Sequence, residues 1–390
     1  MRRSKEASAV PAPAAAPGSR LAAMKRIGDS VKSFQQATEV LTSVRAHPTN
    51  FPLYDLATRC GGHPIERISL VHGPSNHGKS QFVHGLGLSF LQAGNFYVYV
   101  DAEFTTPAEW LRQLMGQFAS HPGFLAQRPK NYEDTVDSVR EFVTKLSLAR
   151  EKGDIDDDVT GLIVVDSIRK LVPKGLLTKM LKDGGIDGAN GRGAQMKAAL
   201  NAQWMDELVP LLYHTKTSMV FIAREYDAGQ DLAKMSEPGG GHEFKVGGGK
   251  SLIFESSLVM RITRSWVRDG SGETARIIGE RHNIAITKTK VSGKQGRASL
   301  GAFHTSNGLL IPEGFDRARD VLEFAEKVGL IQKSGSWLSA ACIGGKWQGT
   351  NQAVVALSQD VEKLDALEDH ARAEMKKSGA EPDEEDTNDD

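Results

Sequence analysis

The chain has 390 residues, of which 39% are hydrophobic and 25% are charged, and its formal net charge at pH 7 is −1. This composition is that of a globular protein with room for one large α/β domain and one or two small ones. It argues against a membrane protein, because no segment approaches the roughly 18 uninterrupted apolar residues that a span needs. The two cysteines, Cys60 and Cys342, lie far apart and form no metal-ligand spacing, which favours reduced thiols in a cytoplasm.

The charge is unevenly distributed along the chain. Residues 381–390 include seven acidic residues and no basic one, so residues 1–380 have a net charge of +6. A mildly basic body with an acidic tail predicts a polyanionic partner and a tail that competes with this partner for the basic body. From charge alone, a tail that only keeps the protein soluble is an equally good interpretation.

The N-terminal segment, residues 1–48, has two parts. Residues 1 to about 20 are rich in alanine, proline and serine, which predicts disorder. From Arg20 to Val44 apolar residues recur at helical spacing, with a basic front end. A helix this short needs a surface to pack against, so we expect it to contact its own core or a neighbouring subunit in an oligomer.

Residues 49–305 alternate between strand and helix patterns. Short apolar runs occur at 68–71, 97–100, 162–165, 219–222, 258–262 and 284–286. Helical patterns, as at 81–91, 110–118 and 135–149, separate the early runs. The alternation predicts an α/β core with a mostly parallel central sheet flanked by helices, and the closely spaced later strands predict an antiparallel extension.

The pattern changes near residue 305. Residues 306–378 predict a small α/β C-terminal domain with helices at 315–328 and 361–377, and residues 379–390 form the acidic tail, which we expect to be disordered. Within the core, two glycine-rich stretches at about 178–193 and 225–249 interrupt the alternation. Loops this long in a compact domain are usually functional or disordered, so we predict two functional loops.

A phosphate-binding loop follows the first core strand. Its residues are Gly73, Pro74, Ser75, Asn76, His77, Gly78, Lys79 and Ser80. Between a strand and a helix, the backbone N–H groups of such a loop converge on phosphate oxygens. Lys79 then reaches the β- and γ-phosphates and Ser80 places its hydroxyl on Mg²⁺, so the sequence predicts a nucleoside triphosphate site.

Acidic residues follow the next two strands. Asp166 ends the run 161–166, where a carboxylate orders Mg²⁺ in enzymes with a phosphate loop. Glu103 follows Asp101 at the end of another strand and either activates the attacking water or is a helix N-terminal charge. Trp110 either stacks on a purine base or is an ordinary packed aromatic.

Six motifs in order resemble those of RecA-type DNA recombinases. They are the loop at 73–80, Val100-Asp-Ala-Glu103, Ile163-Val-Val-Asp-Ser167, 247–254 with its three glycines, Lys288-Thr-Lys290 and Gly329 to Trp337. The resemblance covers roughly residues 49–377, and the acidic tail is similar to that of the bacterial type. It implies a RecA-like core that uses ATP and Mg²⁺, polymerises on single-stranded DNA and exchanges strands with homologous duplex.

The resemblance also implies roles for single residues. Lys79, Ser80 and Asp166 would hold phosphate and metal, Glu103 would activate water, and Trp110 would lie against adenine. Lys288 and Lys290 would reach across a subunit interface to the neighbour's γ-phosphate. It further implies single-strand-binding and loader proteins as partners, no membrane, and a bacterial or phage-infected cytoplasm.

The two glycine-rich stretches match the family's DNA-binding loops. The expected contacts are Arg192, Lys197, Phe244, Lys245, Gly248, Gly249 and Lys250. Cationic side chains would contact phosphates, and Phe244 or Met235 would insert between bases. Which of them touch DNA is left open by the sequence.

One position departs from the family pattern. After the strand 219–222 the family usually has Asn-Gln or Asn-His, which senses the γ-phosphate, whereas this chain has Ala223-Arg224-Glu225. Arg224 either senses the phosphate with a permanent charge or pairs with Glu225 or another acid. The departure indicates a divergent member, cellular or phage-borne.

Two other functions share parts of this pattern. A ring motor of the same fold, such as a helicase or an assembly ATPase, would have the same nucleotide residues but gives no reason for the C-terminal unit or the Lys288–Lys290 pair. A non-catalytic recombination mediator gives no reason to keep Lys79, Ser80, Glu103 and Asp166.

Overall fold

A computed structural model describes Met24 and residues 44–183, 192–230, 242–269, 276–293, 295–303 and 314–377. The chain divides into two compact units, Met1–Val44 and Arg45–Asp390, and every element below lies in the second. The predicted N-terminal disorder, most of the predicted basic helix, Met235 and the acidic tail lie outside the described residues. Within the described part of the chain, no helix has the length and apolar character required to cross a bilayer.

The helices of the second unit are named α1 to α10 in chain order. They are α1 (Pro52–Thr58), α2 (Lys79–Gln92), α3 (Ala108–Met115), α4 (Tyr132–Lys152), α5 (Lys174–Asp183), α6 (Arg192–Thr215), α7 (Lys250–Glu255), α8 (Arg317–Lys327), α9 (Thr350–Gln359) and α10 (Val361–Lys377). Short 3-10 turns occur at Gly116–Ser120, Ile168–Lys170 and Ala341–Ile343.

The strands are named β1 to β15. They are β1 (Ala46–His47), β2 (His63–Pro64), β3 (Ile68–Gly73), β4 (Phe96–Asp101), β5 (Phe124–Gln127), β6 (Gly161–Asp166), β7 (Thr217–Gln230), β8 (His242–Val246), β9 (Leu258–Asp269), β10 (Arg276–Thr289), β11 (Arg297–Phe303), β12 (Gly314–Phe315), β13 (Gln332–Ser334), β14 (Trp337–Ala340) and β15 (Gly345–Gln348).

The central sheet has the order β12-β11-β10-β9-β3-β7-β6-β4-β5, with β8 paired to β7. Strands β5, β4, β6, β7, β3 and β9 run parallel, whereas β9 to β12 and the β7–β8 pair are antiparallel. This confirms the prediction of a mostly parallel sheet with an antiparallel extension. The carboxyl ends of β3, β4, β6 and β7 therefore meet at one edge, where sites form in parallel sheets.

Both faces of the parallel strands are buried. Successive side chains point to opposite faces of the sheet and enter two different apolar clusters. Val71, Tyr97 and Val164 contribute to one apolar cluster. Leu70, Val98 and Val165 contribute to the other. The near-continuous apolar runs of the sequence are explained by this double burial.

Helix ends carry the expected capping chemistry. The Asn131 side chain accepts a hydrogen bond from the backbone of Asp134 at the start of α4, and Gly153 ends that helix in the left-handed conformation with φ 73°. Asp316 caps α8 in the same way by accepting from Arg319. Predicted helix 361–377 is α10 with the same bounds, and predicted 315–328 is α8, shorter by a few residues because Asp316 caps it.

The structure corrects the bounds of both predicted loops. The first was expected at 178–193, but 178–183 belong to α5 and 192–193 begin α6. The second was expected at 225–249, but 225–230 extend β7 and 242–246 form β8, which pairs with it. Glycine is concentrated in only part of each stretch, and the residues on either side of the glycines belong to the neighbouring helices and strands. Residues 184–191 and 231–241 lie outside the described part.

Candidate functional site

The phosphate loop connects β3 to α2 in a conformation that requires glycine at two positions. Gly73 has φ +149°, and a Cβ there would lie 2.1 Å from the carbonyl oxygen of Ile262. Gly78 has φ +81°, and a Cβ there would lie 1.9 Å from a ring nitrogen of His282. The His282 ring also lies 3.2 Å from the carbonyl oxygen of His77 and supports the loop from outside.

The Lys79 ammonium lies folded over the loop. Its Nζ donates to the carbonyl oxygens of Gly73 at 3.0 Å and Pro74 at 2.5 Å. Burial lowers the pKa of Lys79, and the nearby Asp166 carboxylate opposes that shift. Among the described residues the hydrogen bonds of Lys79 go to neutral carbonyls, which anionic phosphate oxygens can replace, so the loop fits a nucleoside polyphosphate.

Ser80 and Asp166 form a pair of hard oxygen ligands. The Ser80 hydroxyl donates to Oδ2 of Asp166 at 2.6 Å, and the Tyr99 hydroxyl donates to the same oxygen at 3.0 Å. Burial raises the pKa of Asp166, and the hydrogen bond from Ser80 opposes this. Hydroxyl and carboxylate oxygens are the ligands that Mg²⁺ prefers, and a divalent cation would offset the cost of this buried charge. The pair therefore fits Mg²⁺.

Glu103 lies beside this pair with both carboxylate oxygens engaged. Oε1 accepts from the Ser167 hydroxyl at 2.8 Å, and Oε2 lies 2.5 Å from Nη2 of Arg224. Burial acts to raise the pKa of Glu103, but the hydrogen bonds from Arg224 and Ser167 outweigh it and hold the pKa below its usual value. Glu103 is thus an ionised carboxylate at neutral pH, as a base must be.

Arg224 pairs with Glu103, not with its chain neighbour. Glu225 instead binds the guanidinium of Arg261 through both oxygens, at 2.8 and 3.0 Å, and lies 3.2 Å from His72 Nδ1. Arg224 thus pairs with another acid, one of the alternatives left by the sequence, and its role as a sensor of the γ-phosphate stays a prediction. In register, Arg224 lies opposite Gly73, so it is next to the phosphate loop.

Asp101 has a structural contact set. Its carboxylate accepts from the backbone N–H groups of Thr105 and Thr106 and from Arg128. It therefore shapes the turn that carries Glu103 and takes no direct part in the site.

Trp110 lies at the start of α3, against α2. Its ring meets His84 edge to face, with centroids 5.3 Å apart. It lines a cavity of about 610 Å³ together with Gln81, which directly follows Ser80. Room for a base next to the phosphate loop is compatible with the predicted adenine contact, which stays a prediction.

Lys288 and Lys290 lie together at the end of β10 and just beyond it. Lys288 donates to the carbonyl oxygens of Ile253 and Phe254, and Lys290 donates to that of Phe254. These acceptors belong to the last turn of α7, whose carbonyls attract cations. The two ammonium groups are thus side by side, and their reach to a neighbouring subunit stays a prediction.

The predicted DNA contacts gather around α6, β8 and α7. Lys197 donates to the carbonyl oxygen of Arg169 at 3.2 Å. Gly248 accepts from the side chain of Asn201 on α6 at 2.7 Å, and Gly249 and exposed Lys250 begin α7. Arg192 lies at the start of α6 and Phe244 and Lys245 lie on β8, their side chains outside the described residues.

Sequence reasoning missed Tyr99 and Ser167. Ser167 follows Asp166 directly, so its proximity to the predicted metal-ordering acid was a signal. Tyr99 lies in a strand interpreted only as apolar, and a tyrosine hydroxyl in a fully buried strand usually has a hydrogen-bond partner. Its partner is Asp166.

Comparison with known proteins gives a consistent set of relatives. A family model described as the RecA N-terminal domain matches residues 24–307. Protein RecA of Acholeplasma laidlawii (strain PG-8A) is 26% identical over 337 residues, which is 86% of this chain and 88% of the relative. Protein RecA of Corynebacterium glutamicum (strain R) is 27% identical over 318 residues, 81% and 73% of the two chains. Chromosomal Protein RecA of Lactococcus lactis subsp. lactis (strain IL1403) is 25% identical over 321 residues, 82% and 73%.

Proposed function

Because this chain belongs to the RecA family, a family of DNA recombination and repair, we propose that it is a DNA-dependent ATPase that forms filaments on single-stranded DNA. In this proposal it pairs the bound strand with homologous duplex and exchanges strands, and ATP hydrolysis is stimulated by DNA. The observation that carries the proposal is the convergence of Lys79, Ser80, Asp166 and Glu103 at the carboxyl ends of β3, β4 and β6.

The nucleotide would be held by residues 73–80. Lys79 would leave the carbonyls of Gly73 and Pro74 and bind the β- and γ-phosphates, and Trp110 would contact the adenine. Mg²⁺, when bound to Ser80 and Asp166, would neutralise negative charge on the phosphates. Tyr99 and Ser80 hold the Asp166 carboxylate in place for that ion.

Glu103 would accept a proton from the attacking water. The carboxylate lies beside Ser167 and Asp166, at the edge of the sheet where the γ-phosphate would project. In this role Glu103 must be ionised and must present a lone pair to the water, and the Arg224 guanidinium on Oε2 competes with the water for this carboxylate.

The second half of the site would come from another protomer. Lys288 and Lys290 present two adjacent ammonium groups, which suit the charge that develops on a transferring phosphoryl group. ATP would then hold protomers together in a filament, and hydrolysis would weaken the contact.

DNA would bind between the two loops around α6 and the β7–β8 hairpin. Lys197, Lys250 and Arg192, with Lys245, would contact phosphates, Gly248 and Gly249 would supply backbone N–H groups, and Phe244 would stack with a base. We also propose a cytoplasmic location and single-strand-binding and loader proteins as partners.

Two measurements test this function. The first is steady-state ATP hydrolysis with and without single-stranded DNA, using Lys79→Ala as the inactive control. Stimulation of the wild type and loss of turnover in Lys79→Ala are expected, whereas normal turnover of Lys79→Ala would remove the site assignment.

The second measurement is electron microscopy with single-stranded DNA and a slowly hydrolysed ATP analogue. Open helical filaments are expected. Closed rings would favour a ring motor instead, and DNA binding without ATP turnover would favour a recombination mediator.

A further inference from the structure

Each oxygen of the Glu103 carboxylate already accepts a hydrogen bond from another side chain. Ser167 occupies Oε1 at 2.8 Å and Arg224 occupies Oε2 at 2.5 Å. The Glu103 side chain is 14% exposed, whereas that of Arg224 is 41% exposed. Arg224 is thus the more exposed partner of the pair, and its guanidinium has solvent to move into.

The backbone of Arg224 is tied to the second DNA loop. Its carbonyl oxygen accepts from the N–H of Gly247 at 3.0 Å, just after β8. The next residue, Glu225, pairs in register with Val246 of the same hairpin. Arg224 therefore contacts Glu103, the proposed general base, through its side chain and the β7–β8 hairpin through its main chain.

Helix α6, which follows the first predicted DNA loop, contacts the same turn. The Asn201 side chain on α6 donates to the carbonyl oxygen of Gly248 at 2.7 Å. Ordering either loop on DNA would pull on the turn at 247–249, and hence on the backbone that aims the Arg224 side chain.

The adjacent Glu225 cannot serve as the partner of Arg224. Its side chain is 2% exposed and is fully engaged by Arg261 and His72. Glu225 therefore anchors β7 to β9 and β3 next to Arg224, so a displacement of the turn at 247–249 would reach Arg224 through the hydrogen bond from Gly247 to its carbonyl oxygen.

We propose that the Arg224–Glu103 ion pair is an autoinhibitory latch that keeps the general base from water until DNA moves the β7–β8 hairpin. The inference rests on the proposed function and adds the device that couples DNA to hydrolysis. An arginine is suited to it, since its guanidinium is always charged and binds a carboxylate more tightly than an amide does. A latch of this kind lowers turnover only in the DNA-free protein, because the pair is broken when DNA is bound.

The first test is the rate of ATP hydrolysis without DNA in Arg224→Gln. Freeing Glu103 is expected to raise this rate by about fivefold to tenfold, the equilibrium effect of one partly exposed charge-assisted hydrogen bond. The control is Arg140→Gln, which also removes an arginine paired with a glutamate, at the distant Glu207. The control rate should equal that of the wild type.

An unchanged or lower DNA-free rate in Arg224→Gln, with normal folding and nucleotide binding, overturns the latch. That result leaves the proposed function in place if the wild type is still stimulated by DNA. Conversely, a wild type that DNA does not stimulate contradicts the proposed coupling, while the DNA-free rates of the variants still decide whether Arg224 restrains Glu103.

A second test uses the reciprocity of coupled equilibria. If DNA binding must break the ion pair, removing the pair makes DNA binding easier. Glu103→Gln, with a slowly hydrolysed ATP analogue, should bind single-stranded DNA about fivefold more tightly than the wild type in fluorescence anisotropy. Equal affinities would contradict the latch and would still agree with a purely catalytic Glu103.

Discussion

The hydroxyl of Tyr99 and the hydroxyl of Ser80 donate to the same oxygen, Oδ2 of Asp166, at 3.0 and 2.6 Å. Tyr99 comes from β4 and Asp166 ends the neighbouring strand β6. The Tyr99 hydroxyl also forms a hydrogen bond with the Thr106 hydroxyl, so it is held by two neighbours. A buried hydroxyl thus orients a carboxylate that would bind metal, as outer-shell partners do in metal sites.

Tyr99→Phe should raise the Mg²⁺ concentration needed for half-maximal binding of an ATP analogue by about tenfold, because loss of an outer-shell hydrogen bond has effects of this size. The measurement is the Mg²⁺ concentration at half-maximal binding of a fluorescent ATP analogue. Tyr97→Phe is the matched control, since its hydroxyl contacts His84 at 2.8 Å and not Asp166. An equal Mg²⁺ requirement in the two variants would show that Tyr99 is only a packing residue.

Glu103→Gln should stop ATP hydrolysis while ATP-dependent DNA binding persists. An amide cannot accept the proton of the attacking water, but it retains the shape that contacts Ser167. Turnover and DNA binding are measured on the same preparation. Loss of both together would indicate that Glu103 has a structural role.

Arg372→Ala should lower the free energy of unfolding by about 3–5 kcal/mol, the usual result of leaving a buried charge unpaired. The guanidinium binds Asp55 and Glu368 and also donates to the carbonyl oxygen of Thr49, so it joins α10 to the start of the core. Urea denaturation measures the loss. Lys377→Ala, which breaks only an exposed pair with Glu374, should have a much smaller effect.

His84 should make stability fall at acidic pH. Burial lowers the pKa of His84 from 6.5 to about 3. Below pH 6.5 the unfolded chain takes up a proton that the folded protein refuses, so stability is lost as pH falls.

The measurement is the difference in unfolding free energy between the wild type and His84→Gln, which lacks this titration. Relative to that of His84→Gln, the unfolding free energy of the wild type should fall by about 1.4 kcal/mol as the pH is lowered from about 7.5 to about 5.5. A difference that does not vary with pH would mean that His84 has an ordinary pKa in the folded protein.

The sequence determined the parts of the site that are local in the chain. The loop at 73–80, the acid at 166 and the acid at 103 each follow a strand, and a strand with both faces buried is visible as a short apolar run. Parallel strands bring their carboxyl ends to one edge, so the meeting of these residues follows from the pattern alone.

Tertiary structure decided which of these residues touch. Arg224 and Glu103 are 121 residues apart, and their pairing depends on β6 lying between β4 and β7. The bounds of the second predicted loop likewise depend on the pairing of β8 with β7. A sequence pattern reports whether a segment is buried or turns, whereas contacts between distant segments are set by strand order and side-chain packing. The sequence therefore predicted a nucleotide site, and only the fold revealed that Glu103, the proposed general base, is paired with Arg224 at the start of the proposed second DNA-binding loop.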